Sequence, residues 1–301
     1  PDELRETTHP RAFIMGDACH THSAKAGQGM NVSIQDGWNL SWKLAHVLTG
    51  LAPESLLSTY AAERKTIAQN LIDFDKEWSD MMAKPVESWD DPAALAKFYE
   101  STMEFPAGFM TQYPASMIIW NADRQNLAQG FPIGKRFKSA EVIRRADNRW
   151  RQLGHLHEAD GRWRVYVFAD QAAPALFGTK AADFANWWEA SNQSPRVKIT
   201  PANHDSDSIF DLKVVYQQDY TLVEPGDVPS GFKPIKQPLG LRDINQVFCS
   251  GHGRDIFEER GISREGAVVV VRPDQYVAGV YELADLSGIA NFFSENLLLD
   301  K

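Results

Sequence analysis

Cysteine is almost missing from this chain: its 301 residues include only Cys19 and Cys249, far apart and in no C-x-x-C pair. That excludes a disulfide framework and makes a reducing cytoplasm the expected location. Long apolar runs are missing too. Val268–Val271 and Leu297–Leu299 are the longest candidates, far short of the roughly 20 residues a membrane span needs, so no membrane partner is expected. The opening PDELRETTHPR has no apolar core of a signal peptide. Positive charge is in deficit, with Lys+Arg 31 against Asp+Glu 40 and a formal net charge of -9. Together with a pI near 5.4, this argues against nucleic acid as a partner. No G-x-G-x-x-G follows a strand and opens a helix, so these residues hold no dinucleotide-binding βαβ start. There is no G-x-S-x-G elbow of a hydrolase either, no internal repeat and no low-complexity segment.

What is present is enough for a sizeable core: 43% of residues are hydrophobic, and the length suggests about two domains. The chain starts with Pro and enters a motif almost at once, so a piece of a longer protein, or a gene lacking its beginning, is expected. Ala12–Met15 is a short apolar run that suits a buried strand. Met30–Thr49 reads as a helix with two apolar stripes, Ile34, Trp38, Ala45 and Leu48 beside Leu40, Leu44 and Val47. Gly50 is placed to close it. Pro53 introduces a second helix, Leu56 to about Met82, and Asp90-Asp91-Pro92 a third, to Met103. The segment 105–132 reads as irregular connection.

The pattern then changes. Gln152–Asp170 alternates around Asp160-Gly161, a hairpin signal. Ala181–Ala190 fits a helix and Asp211–Gln217 a strand. A Pro/Gly-rich crossing covers Glu224–Gly240, and Ile256–Arg260 is helical or turn-like. Gly266–Val271 and Tyr276–Val280 make a hairpin, and Ser287–Leu299 a closing helix. The expected fold class is mixed α/β, with one region over residues 1–133 and a second over 134–301. The element order of the second is that of a thioredoxin-like domain, here without C-x-x-C.

The stretch Phe13–Asn31, FIMGDACHTHSAKAGQGMN, organises the first region. An acidic residue, Asp17, sits where a strand should end and can accept hydrogen bonds from sugar or polyol hydroxyls. Gly27 and Gly29 let backbone approach a flat or anionic group. The helix N-terminus near Met30 aims N–H groups and a positive dipole end at the same place. The plainer reading of these residues, an Asp capping a turn and glycines tightening a loop, suits them as well.

RAFIMGDACHTHSAKAGQGMNVSIQDGWNLSWKLA resembles the second FAD-binding motif of single-component flavoprotein aromatic hydroxylases, in the branch of phenol 2-monooxygenase and 3-hydroxybenzoate 4-monooxygenase. Gly16, Asp17, His20, Gly27, Gly29, Asn31, Asp36, Asn39, Leu40, Trp42, Lys43, Leu44 and Ala45 match its pattern. RRADNRWRQLGHLHEADGRWRVYVFAD and GAVVVVRPDQYVAGVYEL are similar to the C-terminal thioredoxin-like domain of the same branch. The resemblance implies that Asp17, following Gly16, binds the ribityl chain of FAD, and that the backbone of Gly27, Gln28, Gly29, Met30 and Asn31 faces the flavin ring and its pyrimidine edge. It implies NAD(P)H as co-substrate and hydroxylation of a small phenolic substrate with O2 through a flavin C4a-hydroperoxide. It also implies a homodimer formed through the C-terminal domain. The ADP-binding, catalytic and most substrate-contacting residues are then expected upstream, so no catalytic residue is identified here and the piece alone is expected to be inactive. One position departs: Ala24 stands where many relatives have Pro, which removes a fixed φ from the loop. A non-catalytic binding or dimerisation module and an FAD-dependent dehydrogenase are the alternatives.

Other residues have simpler readings. Cys19, His20 and His22 lack the paired spacing of a zinc site, so no metal is expected. His155 and His157 read as a solvated strand face, Glu63-Arg64 as helix-face charge, and Trp187-Trp188 as core or interface.

Overall fold

The computed structural model describes residues 10–21, 23, 29–85, 91, 93–105, 108–121, 123–176, 178–251 and 253–298. They form two compact units, Pro1–Thr49 with Glu54–Gln112 and Gly50–Pro53 with Tyr113–Lys301. The division falls at 112/113, earlier than the 133/134 boundary expected from sequence. Residues 113–133 belong to the second unit because their backbone is bonded there: Trp120 N–H donates to Ala278 O at 2.7 Å and Tyr113 N–H to Gly134 O at 2.9 Å.

The first unit is helical. Helix α1 spans Gly29–Leu48, α2 Ser58–Ala83 and α3 Ala94–Thr102. Gly50, at φ 68, turns the chain left-handed beyond α1, a conformation that costs glycine little. The buried side of α1 is not the expected pair of apolar stripes. Ile34 and Leu48 are exposed, whereas Val32, Asp36, Asn39, Leu40 and Lys43 are buried. The facing stripe of α2 is Tyr60, Glu63, Arg64, Ile67, Leu71, Asp75 and Trp78, so Glu63 and Arg64 are core groups and not surface charges. Ala12–Met15 is not a strand. Met15 is extended, but the first unit contains no strand among its described residues, so no ladder forms. Pro92 lies outside the described residues; α3 begins after Asp91, whose carboxylate accepts from Ala93 N at 2.9 Å.

The second unit is built on a seven-stranded sheet. Its strands are β1 (Glu141–Arg144), β2 (Arg149–Gln152), β3 (Trp163–Phe168), β4 (Phe210–Tyr216), β7 (Val247–Ser250), β8 (Ala267–Val271) and β9 (Val277–Tyr281), in the order β2-β1-β7-β4-β3-β8-β9. A separate ribbon pairs β5 (Ile235–Lys236) with β6 (Leu241–Arg242). The β3/β4 and β4/β7 pairs are parallel, and β8 and β9 are antiparallel. Strands β3, β4, β8 and β9 are buried throughout; β8 and β9 accordingly read as apolar runs, whereas β3 and β4 also bury Arg164, Asp211 and Lys213.

Alternation along β3 sends Trp163 to one face and Tyr166 and Phe168 to the other. On the first face, Trp163 meets Phe293 of α7 (Leu286–Asn296) at 5.4 Å, while Phe210 meets Trp188 of α4 (Lys180–Ala190) at 5.4 Å. On the second, Phe168 packs on Phe131 at 5.6 Å and on Phe257 of α6 (Ile256–Glu259) at 5.8 Å. A short helix α5 (Pro195–Ile199) precedes β4.

The hairpin expected at Asp160-Gly161 is not formed. Gly161 does turn the chain, at φ 78, but β3 pairs with β4 and β8. The real hairpin joins β1 to β2 through Asn148 at φ 54. His155 and His157 therefore share no strand: His155 is exposed, while His157 is buried and its Nε2 donates to Pro273 O at 3.0 Å. Trp188 is core, as expected. No helix among the described residues is long and apolar enough to cross a membrane.

Candidate functional site

The Gly16–Ala18 segment is a single 3-10 turn at the end of the extended chain, and a buried carboxylate holds it in place. Gly16 sits at φ +57, and a Cβ there would lie 2.9 Å from Ser33 Oγ on α1, so both conformation and space favour glycine. Its N–H donates to Asp36 Oδ2 at 3.1 Å. The same oxygen lies 2.8 Å from His20 Nε2. The other oxygen, Oδ1, accepts from Arg64 Nε at 2.6 Å. Arg64 also donates to Val32 O at 3.3 Å, which ties α2 to the first turn of α1.

Asp36 is 1% exposed and Arg64 4%. A carboxylate so deeply buried is tolerable only because a guanidinium and two further donors satisfy it. One and two turns along α1 lie Asn39 and Lys43: Lys43 Nζ donates to Glu63 Oε2 at 2.8 Å and Asn39 Oδ1 at 2.8 Å, and Asn39 Nδ2 donates to Glu63 Oε2 at 2.7 Å. Further along α2, Asp75 accepts from Ser23 N at 2.7 Å and Ser23 Oγ at 2.6 Å.

With the interior of the turn fixed, Asp17 is left exposed at its surface. The first turn of α1 carries no acidic residue, so its positive dipole end is not offset by a side chain of that turn. Gly29 is buried there, Asn31 half-buried and Met30 71% exposed. Gly27, Gln28, His22 and Ala24 lie outside the described residues.

A cavity of about 350 Å³ opens beside the turn, lined by Phe13, Ile14, Tyr60, Ala68 and Ile72 together with Asp36 and Arg64. Tyr60 donates to Ile14 O at 2.7 Å; burial first, then the Asp36 charge, pushes its phenol up to about 12. Partial burial and Asp36 also raise the Cys19 thiol, which disfavours a reactive thiolate. Ligand atoms of Cys19, His20 and Asp36 lie within 4.8 Å of one another. Both Asp36 oxygens are already engaged, however, and the Arg64 cation that holds one of them opposes a second cation there.

Residues 111–301 match the family model "phenol hydroxylase, C-terminal dimerisation domain". The chain belongs to the phenol hydroxylase family. Residues 3–75, which include the Gly-Asp turn and α1, match the model "FAD binding domain". A 3-hydroxybenzoate 4-monooxygenase of Comamonas testosteroni is 46% identical over 292 residues, covering 94% of this chain and 46% of that protein. A phenol 2-monooxygenase of Aspergillus fumigatus is 32% identical over 295 residues, covering 95% of this chain and 47% of that protein. The chain thus spans about half the length of the curated relatives it matches. Among solved structures, aklavinone-11 hydroxylase with FAD and aklavinone superposes with a TM-score of 0.57 at 20% identity, over 98% of this chain and 45% of that one. The flavin-dependent monooxygenase PieE with FAD and substrate superposes with a TM-score of 0.55 at 18% identity, over 94% and 47%. These last two likenesses concern the fold.

For this phenol hydroxylase family member, the structure brings Gly16, Asp17 and the start of α1 into one unit around Asp36. It adds Arg64 and Glu63, which the sequence reading took for helix-face charge, and the Ser23–Asp75 contact, which it did not identify. A signal did exist. Polar residues at 36, 39 and 43 on α1, and at 63, 64 and 75 on α2, share helical faces with buried apolar neighbours. Which charges pair across two helices is not written in either helix alone.

Proposed function

We propose that this chain is the C-terminal part of an FAD-dependent, NAD(P)H-using monooxygenase that hydroxylates a small phenolic substrate with O2. The observation that carries the reading is the Gly16-Asp17 turn, pinned from inside by Asp36 so that Asp17 faces outward. Its donor set suits the cofactor. An exposed carboxylate accepts hydroxyl donors such as a ribityl chain, and the α1 N-terminus favours a group that gains negative charge. When bound, FAD supplies the redox and oxygen-transfer chemistry. Asp17 would hold the ribityl hydroxyls, and the backbone of Gly27–Asn31 would orient the pyrimidine edge. Catalytic and ADP-binding residues belong to the part of the protein outside this chain.

Asp17→Ala in the full-length protein tests this. It removes charge-assisted hydrogen bonds worth roughly 1.5–3 kcal/mol each, so FAD affinity should fall about tenfold to a hundredfold. FAD held as tightly as by wild type would overturn the assignment. Oxygen consumed in step with hydroxylated product would separate this reading from a dehydrogenase.

The second unit is read as a thioredoxin-like domain of dimerising role. The order β4-β3-β8-β9, with α4 joining the parallel pair β3 and β4 and α7 closing the unit, supports this. The one cysteine there, Cys249, is buried and its thiol is pushed up to about 12 by burial, so a dithiol cycle within the domain is chemically closed. Two free cysteines accord with a cytoplasmic location.

A further inference from the structure

Two buried carboxylates grip the Gly16–Ser23 loop at different points, and both connect to the same face of α2. Asp36 takes the start of the loop through Gly16 N–H and His20, and is itself held by Arg64 of α2. Asp75 takes the loop further on, with its two oxygens divided between Ser23 N–H and Ser23 Oγ–H. Arg64 and Asp75 lie on one buried stripe of α2. Eleven residues at 1.5 Å rise separate them by about 16 Å and about three turns, so they face the same way.

The geometry points to Asp75, together with Asp36, as a positioning residue that clamps the cofactor loop at two fixed points along α2. The inference rests on the FAD reading above. It adds that affinity for FAD depends on a side chain that need not touch FAD. A loop anchored only through Gly16 and His20 would leave its far end to be ordered when the cofactor binds, and that ordering entropy would be subtracted from binding. Anchoring Ser23 as well fixes a second point of the loop before the cofactor arrives. The contact is charge-assisted and two-pronged, which makes it directional. An amide at position 75 could accept only one of Ser23's two donors and would turn an N–H group toward the other.

The test uses the full-length protein, with FAD affinity and apoprotein melting temperature measured side by side. Ser23→Ala should weaken FAD binding about threefold to tenfold and Asp75→Asn about tenfold or more, as expected for losing one or two such bonds. Ser23→Thr, which keeps the hydroxyl, should restore affinity to within about twofold of wild type. The Ser23→Ala/Asp75→Asn double variant should bind FAD no more weakly than Asp75→Asn, because the two groups act as one contact. A clamp effect moves FAD affinity while the melting temperature of Ser23→Ala stays near wild type. Should Asp75→Asn not fold, the Ala and Thr pair at position 23 still decides. Unchanged FAD affinity in Ser23→Ala, or no rescue by Thr, overturns the clamp. Failure of the wild-type protein to bind FAD overturns the FAD reading beneath it.

Discussion

Lys43 and Glu63 sit on facing turns of α1 and α2, 0% and 4% exposed at the side chain, with Nζ and Oε2 at 2.8 Å and Asn39 completing the set. Ions this deep have lost their water, so breaking the pair leaves one buried charge stranded while replacing both need not cost much. Glu63→Gln should destabilise the protein by about 3–5 kcal/mol. The double change Lys43→Met/Glu63→Leu should recover most of that loss, and urea unfolding of the two variants decides the matter. Single and double variants of equal stability would show that the pair is not what holds α1 to α2. This cluster was not legible as a site. Asp36, Asn39 and Lys43 stand in a recognisable motif, but Glu63 and Arg64 look like ordinary surface charge until the second helix is placed against the first. The Gly16–Ala18 turn and the helix after it were legible because a turn and a helix start need only local context.

His157 is an element-scale matter, since its environment is made by the starts of β3 and β4 and the turn after β8. Burial chiefly, with help from the Arg164 cation, lowers its pKa from 6.5 to about 3, and Lys213 acts the same way while Asp211 and the bond to Pro273 O oppose it. The folded protein thus keeps His157 neutral, whereas the unfolded chain takes up a proton below about pH 6.5. Its stabilising contribution is complete above pH 6.5 and is lost as pH falls from there toward 3, on the order of 2 kcal/mol by pH 5. His157→Gln, which can still donate to Pro273 O, should flatten the fall in stability between pH 7.5 and 5 as read by urea titration. An unchanged slope would mean that His157 takes no part. Strands β3, β4 and β8 announce themselves by β-branched and aromatic runs because both of their faces are covered. Strands β1 and β2 do not, since EVIR and RWRQ are half-exposed and mostly polar. The Asp160-Gly161 turn misled for a related reason: a turn dipeptide shows where the chain bends, not which strands pair across the bend.

At the scale of the whole molecule, the second unit has its own core, and where that core begins can be measured. Ile118, Ile119 and Phe131 are 0%, 1% and 0% exposed, and Trp120 N–H is bonded to Ala278 next to the start of β9. A polypeptide of residues 113–301 keeps these groups; one of residues 134–301 loses them. Each buried side chain of this size is worth roughly 1.5–3 kcal/mol, so the shorter piece should be less stable by about 5 kcal/mol or more, enough to unfold a domain of ordinary stability. The composition shift near Pro132 pointed to a later boundary because 113–133 lacks regular periodicity, and irregular chain can be as buried as a strand. The longer piece also tests assembly. If this unit is the dimerising part, sedimentation equilibrium of residues 113–301 should give a dimer mass that falls toward the monomer only on dilution. A folded monomer at all concentrations would remove the dimerising role from this unit and assign it to the rest of the protein.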